Sequence, residues 1–164
     1  MKFLIDNGHG RETAGKRSPD GRLLEYAQNR LLAGRIVSAL QARGLDASLL
    51  VPEETDISLP ERCRRVNEWC RQLGKDNVLL ISIHCNAAQA HLPGQRLRTD
   101  YTDADPDLEK YFYLLRHTSC PAVLTENLFM DSHTDCDFLL SEEGQQSLVD
   151  LHVDGICAYL ASIA

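Results

Sequence analysis

Four residues stand where apolar runs end and chemistry can begin. His9 follows Lys2 to Asp6 inside Asn7-Gly8-His9-Gly10, and His84 follows the run Asn77 to Ile83 in His84-Cys85-Asn86. Glu126 follows Ala122-Val123-Leu124-Thr125, and Glu25 stands where a helical pattern begins. In open α/β sheets the functional crevice lies beyond the carboxyl ends of the strands, so polar residues at those places outrank their neighbours. Two imidazoles and two carboxylates on one sheet edge suit a catalytic zinc site, which takes three protein ligands from His and Asp/Glu and leaves a fourth position open. Two His and one acid would fill the ligand set. The remaining carboxylate would act as general base toward water whose pKa the ion lowers to about 7, and hydrolysis of an amide or ester is the natural output. Each residue also has a plainer reading: a histidine after a strand as a satisfied loop residue, Glu25 as a charge favouring a helix N-terminus, Glu126 as part of a surface loop. No compact His-Glu-x-x-His helix motif is present to decide between them.

The elements that must position these residues can be read from periodicity. Lys2 to Asp6 reads as a first strand, with glycines on either side of His9 permitting a tight exit turn. Gly10 to Gly21 is polar and basic and reads as an exposed loop. From Leu24 the pattern turns helical, with Ala27, Leu31, Ile36 and Leu40 near one face and Gly44 as the stop. Ala47 to Val51 reads as a second strand. Ser58-Leu59-Pro60-Glu61 opens a helix carrying Cys63, Val66, Cys70 and Leu73, and it ends at Gly74. Asn77 to Ile83 is a continuous apolar run, the pattern of a central parallel strand buried on both faces. Tyr111 to Leu115 and Ala122 to Thr125 read as further strands, and Ser141-Glu142-Glu143 opens a last helix with Leu148, Leu151, Ile156 and Tyr159. Gln89 to Lys110 is Asp-rich and without period, and reads as loop. The expected fold class is α/β: a single domain, residues 1–164, with a mostly parallel twisted sheet and helices on both faces.

Composition narrows the partners. The 164 residues suit one domain, and 24 acidic against 17 basic side chains give a net charge of -7, which argues against a broad nucleic-acid surface. The most hydrophobic stretch, Val78 to Ile83, is strand-sized, so membrane insertion is not expected. Six cysteines without a Cys-x-x-Cys pair read as reduced, buried small hydrophobes.

The wording of the segments adds a further signal. Asp6-Asn7-Gly8-His9-Gly10, Glu25 opening a helix, Ser82-Ile83-His84-Cys85-Asn86 and Pro121-Ala122-Val123-Leu124-Thr125-Glu126, in this order and at these intervals, resemble the zinc-dependent N-acetylmuramoyl-L-alanine amidases of the Amidase_3 type. Tyr113-x-Leu115-Arg116 also looks like that family. The resemblance implies one zinc ion bound by His9, Glu25 and His84, with Glu126 as the catalytic glutamate. It also implies a substrate, the amide between the lactyl group of N-acetylmuramic acid and L-alanine of the peptidoglycan stem peptide, as in an autolysin or endolysin. A zinc peptidase or deacylase acting on another amide, or a wall-binding module without hydrolysis, are the competing readings.

The chain departs from the family in one place. A strand with a Gly-x-Glu-like segment and a further helix normally follow the Ser-x-His-x-Asn motif, but here only Ala87 to Pro93 precedes Gly94-Gln95-Arg96-Leu97-Arg98. Either the enzyme is unusually small or a segment is deleted near 88–93. Other residues carry softer expectations. Asp6 and Asn7 are second partners that orient His9, and Arg11, Arg17 and Arg22 are either solvated loop residues or contacts for stem-peptide carboxylates. His117 is a possible cleft residue, whereas His91, His133 and His152 are ordinary surface or helix histidines, and Cys85 points away from His84. Lys2 to Asp6 meets an acid before any secretory apolar region forms. The expectation is therefore cytoplasmic synthesis with action on the wall after release, or a domain of a longer exported protein.

Overall fold

A computed structural model describes residues 1–87 and 112–163. The four described strands are β1 (Lys2–Asn7), β2 (Asp46–Leu49), β3 (Val78–Asn86) and β4 (Ala122–Phe129), all parallel, in the order β2-β1-β3-β4. The chain leaves β1 for β2 on one side through α1 (Glu25–Ala42), then crosses back past β1 to β3 through α2 (Leu59–Leu73). That reversal makes the carboxyl ends of β1 and β3 the switch point of the sheet, where a crevice opens.

Alternation along the strands sends their side chains to two cores. Phe3, Ile5, Leu79, Ile81, Ile83 and Cys85 pack under α1 and α5 (Glu142–Ser162). On the other face Leu4, Val78 and Leu80 meet Val66 and Cys70 of α2 and Leu114 of α3 (Tyr113–His117). Helices therefore cover both faces of a parallel sheet, as the periodicity predicts, and β1 is buried at every residue.

Helix boundaries follow their capping chemistry. Ser58 accepts from Glu61 N at the start of α2, with Pro60 in the first turn, and Ser141 accepts from Gly144 N at the start of α5. Gly44 and Gly74, at φ 76° and 86°, take the left-handed conformation that stops α1 and α2.

Several expectations are corrected. The buried stripe of α1 is Gln28, Leu32, Ile36 and Leu40 with Asn29, Ala33 and Val37, so Ala27 and Leu31 face outward. Gln28 belongs on the inner face because its amide donates to the Leu139 carbonyl at 2.7 Å. Leu73 and Leu151 likewise point to solvent. Tyr113 to Leu115 is helical, not a strand: three apolar residues in a row fit either period, and one turn suffices to seat Leu114 against α2. Tyr111 lies outside the described residues. The helix α4 (His133–Leu140), capped by Ser132, has no counterpart among the expected elements. The Gln89–Lys110 loop, His91 and the departure near 88–93 lie outside the described residues. All six cysteines are free thiols, buried except for the half-buried Cys157.

Candidate metal centre and active-site cleft

His9 leaves β1 at φ 65°, a left-handed conformation that costs a non-glycine residue on the order of 1 kcal/mol. Gly8 beside it donates its N–H to the Ile83 carbonyl at 3.0 Å and accepts from the Asn29 amide at 3.2 Å, so the exit loop lies directly against β3. A Cβ on Gly8 would sit 2.2 Å from the His84 ring, which explains the glycine at this point. Glu25 is the first residue of α1 and is fully buried; its N–H donates to the Lys16 carbonyl at 3.0 Å.

These three side chains converge. Glu25 Oε1 lies 3.3 Å from His9 Nε2 and 3.3 Å from His84 Nδ1, and it accepts from Cys85 N at 3.2 Å. The two imidazoles meet edge to face at 88°, with ring centres 4.8 Å apart. Burial opposes ionisation of Glu25, yet the hydrogen bonds from His84 and His9 outweigh it and hold the carboxyl well below the usual range. Among the described residues Glu25 Oε2 is buried without a hydrogen-bond partner, and Lys16 Nζ lies 3.9 Å from it. An orphaned carboxylate oxygen beside two imidazole nitrogens fits a metal ion, since each donor atom of the three residues lies within 4.8 Å of the others.

Glu126 completes the edge. It is the register partner of His84 on the adjacent strand and shares with His9 and His84 a cleft of about 390 Å³. Ile57, Leu59, Phe112, Tyr113 and Leu124 supply the apolar wall of that cleft. On the opposite face of β4, Thr125 Oγ1 lies 2.9 Å from His152 Nε2, and Asn127 donates to the His84 carbonyl at 2.8 Å.

Residues 3–96 of the 164 match the family model of the N-acetylmuramoyl-L-alanine amidases. The chain belongs to the N-acetylmuramoyl-L-alanine amidase family. Among the curated relatives of this amidase is the uncharacterised protein YqiI of Bacillus subtilis (strain 168), 26% identical over 178 residues, covering 94% of this chain and 82% of that protein. Another is the amidase CwlM of Bacillus licheniformis, 27% identical over 95% of this chain and 67% of CwlM. The fold of the N-acetylmuramoyl-L-alanine amidase from Clostridium difficile 630 superposes with a TM-score of 0.81 at 22% identity, covering 99% of this chain and 98% of that one.

The remaining sequence expectations divide. Asp6 gives its two carboxylate oxygens to Arg62 and Ser82, whereas the Asn7 side chain, also buried, has no hydrogen-bond partner among the described residues. Arg11 pairs with Glu54 and Arg22 with Asp20 and Asp137; these two and the exposed Arg17 are not among the residues lining the amidase cleft. The basic loop residue that does line it is Lys16. His117 stacks on Tyr113 at 3.9 Å, outside the cleft lining, and His133 is exposed beside Arg22. His152 is not a surface residue: it is 7% exposed, and burial pushes its pKa down. Cys85 does turn away from the cleft, and burial raises its thiol to about 12. Sequence reasoning missed Arg62 and the apolar wall. The clue to Arg62 was its position four residues before Val66, on the buried stripe of α2. No described helix is long and apolar enough to cross a membrane.

Proposed function

We propose that this amidase holds one zinc ion through His9, Glu25 and His84, and that Glu126 is its general base and acid. The amide it cleaves joins the lactyl group of N-acetylmuramic acid to L-alanine of the peptidoglycan stem peptide. The observation that carries this reading is the convergence of His9 Nε2, His84 Nδ1 and Glu25 Oε1 at the switch point of a family fold, with Glu126 in register beside His84.

Zinc, when bound there, supplies a Lewis acid that polarises a carbonyl and brings the pKa of water to about 7. Glu25, buried at the head of α1, would hold the ion together with the two imidazoles, and Cys85 N keeps its Oε1 in place. Glu126 takes a proton from the attacking water and delivers one to the departing nitrogen as the C–N bond breaks, leaving a lactyl carboxylate and a free L-alanine amine. Lys16 brings a positive charge to the same wall, where negative charge develops on the substrate carbonyl oxygen. The apolar wall of Ile57, Leu59, Phe112 and Tyr113 gives the uncharged parts of the substrate a surface to lie against.

Digestion of purified sacculi tests the proposal, together with elemental analysis of the native protein. One zinc per chain and new L-alanine amino termini are expected. Release of any other new terminus, or activity in a protein that carries no metal, overturns it.

A further inference from the structure

The chemistry above makes no use of Arg62, yet this α2 side chain is only 2% exposed. A buried guanidinium is tolerated when its donors are all engaged. Here Nε donates to the Ile57 carbonyl at 2.8 Å, Nη1 to Asp6 Oδ1 and to the Asn7 carbonyl at 3.0 Å, and Nη2 to the His9 carbonyl at 3.3 Å and Asp56 at 3.4 Å. Asp6 is itself anchored by Ser82 Oγ. The guanidinium thus gathers the carbonyls on both sides of Gly8 to one point.

Arg30 reaches the same place from α1. Its Nη1 donates to the His9 carbonyl at 3.0 Å and to Tyr26 O at 3.2 Å, while Nε and Nη2 hold the Glu53 carbonyl at 3.2 and 2.7 Å. Two guanidiniums therefore converge on a single carbonyl, and that carbonyl belongs to the residue held at φ 65°. Rotation of His9 to an ordinary extended conformation would swing its carbonyl away from both donors and its ring away from Glu25. The Gly8 carbonyl between them is taken by Asn29, so every carbonyl from Asn7 to His9 is held by a side chain.

We propose that Arg62 and Arg30 are positioning residues that clamp the His9 carbonyl and so hold its ring at the metal-binding position. This rests on the reading of His9 as a metal ligand. Both act through the backbone of one ligand, although Arg62 also borders the cleft. Loss of either clamp weakens zinc binding by about 10- to 100-fold, the range seen when groups supporting metal ligands are removed.

The test uses Arg62→Lys, which keeps a cation beside Asp6 but loses the fork, and Arg30→Gln, with Arg30→Lys as the conservative control. Zinc affinity is read by competition with a chromophoric chelator, ligand geometry by the visible absorption of the cobalt-substituted protein, and folding by thermal melting of the metal-free protein. Weakened zinc binding and an altered cobalt spectrum are expected in Arg62→Lys and Arg30→Gln. Melting should show a folded protein, binding should be partly restored in Arg30→Lys, and sacculus digestion should recover at excess zinc. Folded variants that bind zinc as tightly as wild type, with an unchanged cobalt spectrum, overturn the inference. If Arg62→Lys does not fold, Arg30→Gln decides by the same readings. His9→Ala separates the two levels: if it too retains zinc, the ligand assignment has failed, whereas if it alone loses zinc, only the clamp has.

Discussion

Glu126 and His84 are register partners across the β3–β4 ladder, so the pairing of the two backbones sets the proposed base beside the proposed ligand. Glu126→Gln preserves size and the strand while removing the proton-accepting group. The expected result is a fall in kcat of about 10²- to 10⁴-fold with zinc content unchanged. Release of L-alanine amines from sacculi measures it, and wild-type turnover in this variant would remove Glu126 from its role.

Gly8→Ala should disable the site without unfolding the chain. The new methyl would lie 2.2 Å from the His84 ring, and the loop cannot retreat because Gly8 N is bonded to Ile83 and its carbonyl to Asn29. Loss of bound zinc with a wild-type far-ultraviolet dichroism spectrum is expected. Gly34→Ala, in the middle of α1 where, among the described residues, nothing beyond its own helix backbone and chain neighbours lies within 4 Å of the added methyl, is the contrast: it should stabilise by about 0.5–1 kcal/mol and leave turnover alone.

The proposed ligands were legible because His9 follows an apolar run, Glu25 opens a helix and His84 ends an apolar run, although β3 continues past it to Asn86, and the switch-point rule assigns one sheet edge to such residues. Glu126 was legible as the first charge after the apolar run Ala122 to Leu124, although that run is only partly buried. Arg62 was not, because its burial depends on Asp6, 56 positions earlier in the chain, and a lone arginine on a helix otherwise reads as solvated. The same applies to His152, whose partner Thr125 comes from β4. The short α3 and α4 escaped because neither is long enough to display a period: α4 buries only Cys136 and Leu139.

His152 gives the fold an acid-side weakness. Its Nδ1 donates to the Leu148 carbonyl at 2.7 Å, and in the neutral ring Nε2 accepts from Thr125 Oγ1 at 2.9 Å, while burial opposes a charge on the ring. Burial holds the folded pKa below the unfolded value of about 6.5, so the unfolded chain takes up this proton first as pH drops. The stability tied to the neutral ring is complete above that value and declines as pH falls below it toward the folded pKa. Urea midpoints at pH 7.5 and 5 should differ more in the wild type than in His152→Gln; equal differences would exclude this histidine as a source.

Thiol labelling offers a check on packing. Burial raises the Cys85 and Cys120 thiols to about 12 and also pushes Cys63 upward, which suppresses the reactive thiolate. In the native protein an aromatic disulfide reagent should modify only Cys157 readily, whereas all six cysteines should react in guanidinium. Rapid native labelling of Cys70 or Cys120 would show that the α2 core opens more easily than its packing implies.

The pairing of β1 with β3 skips over α1, β2 and α2, so His9 and Glu25 wait for a strand that begins more than fifty residues after Glu25. Contacts of such long sequence separation form late, after local helices. A nascent chain that has emerged only through α2 therefore has two of the three proposed grips and no cradle. The proposed site would assemble in a single step, when β3 slots in against β1, so metal uptake would report on formation of that strand pair rather than drive the stages before it.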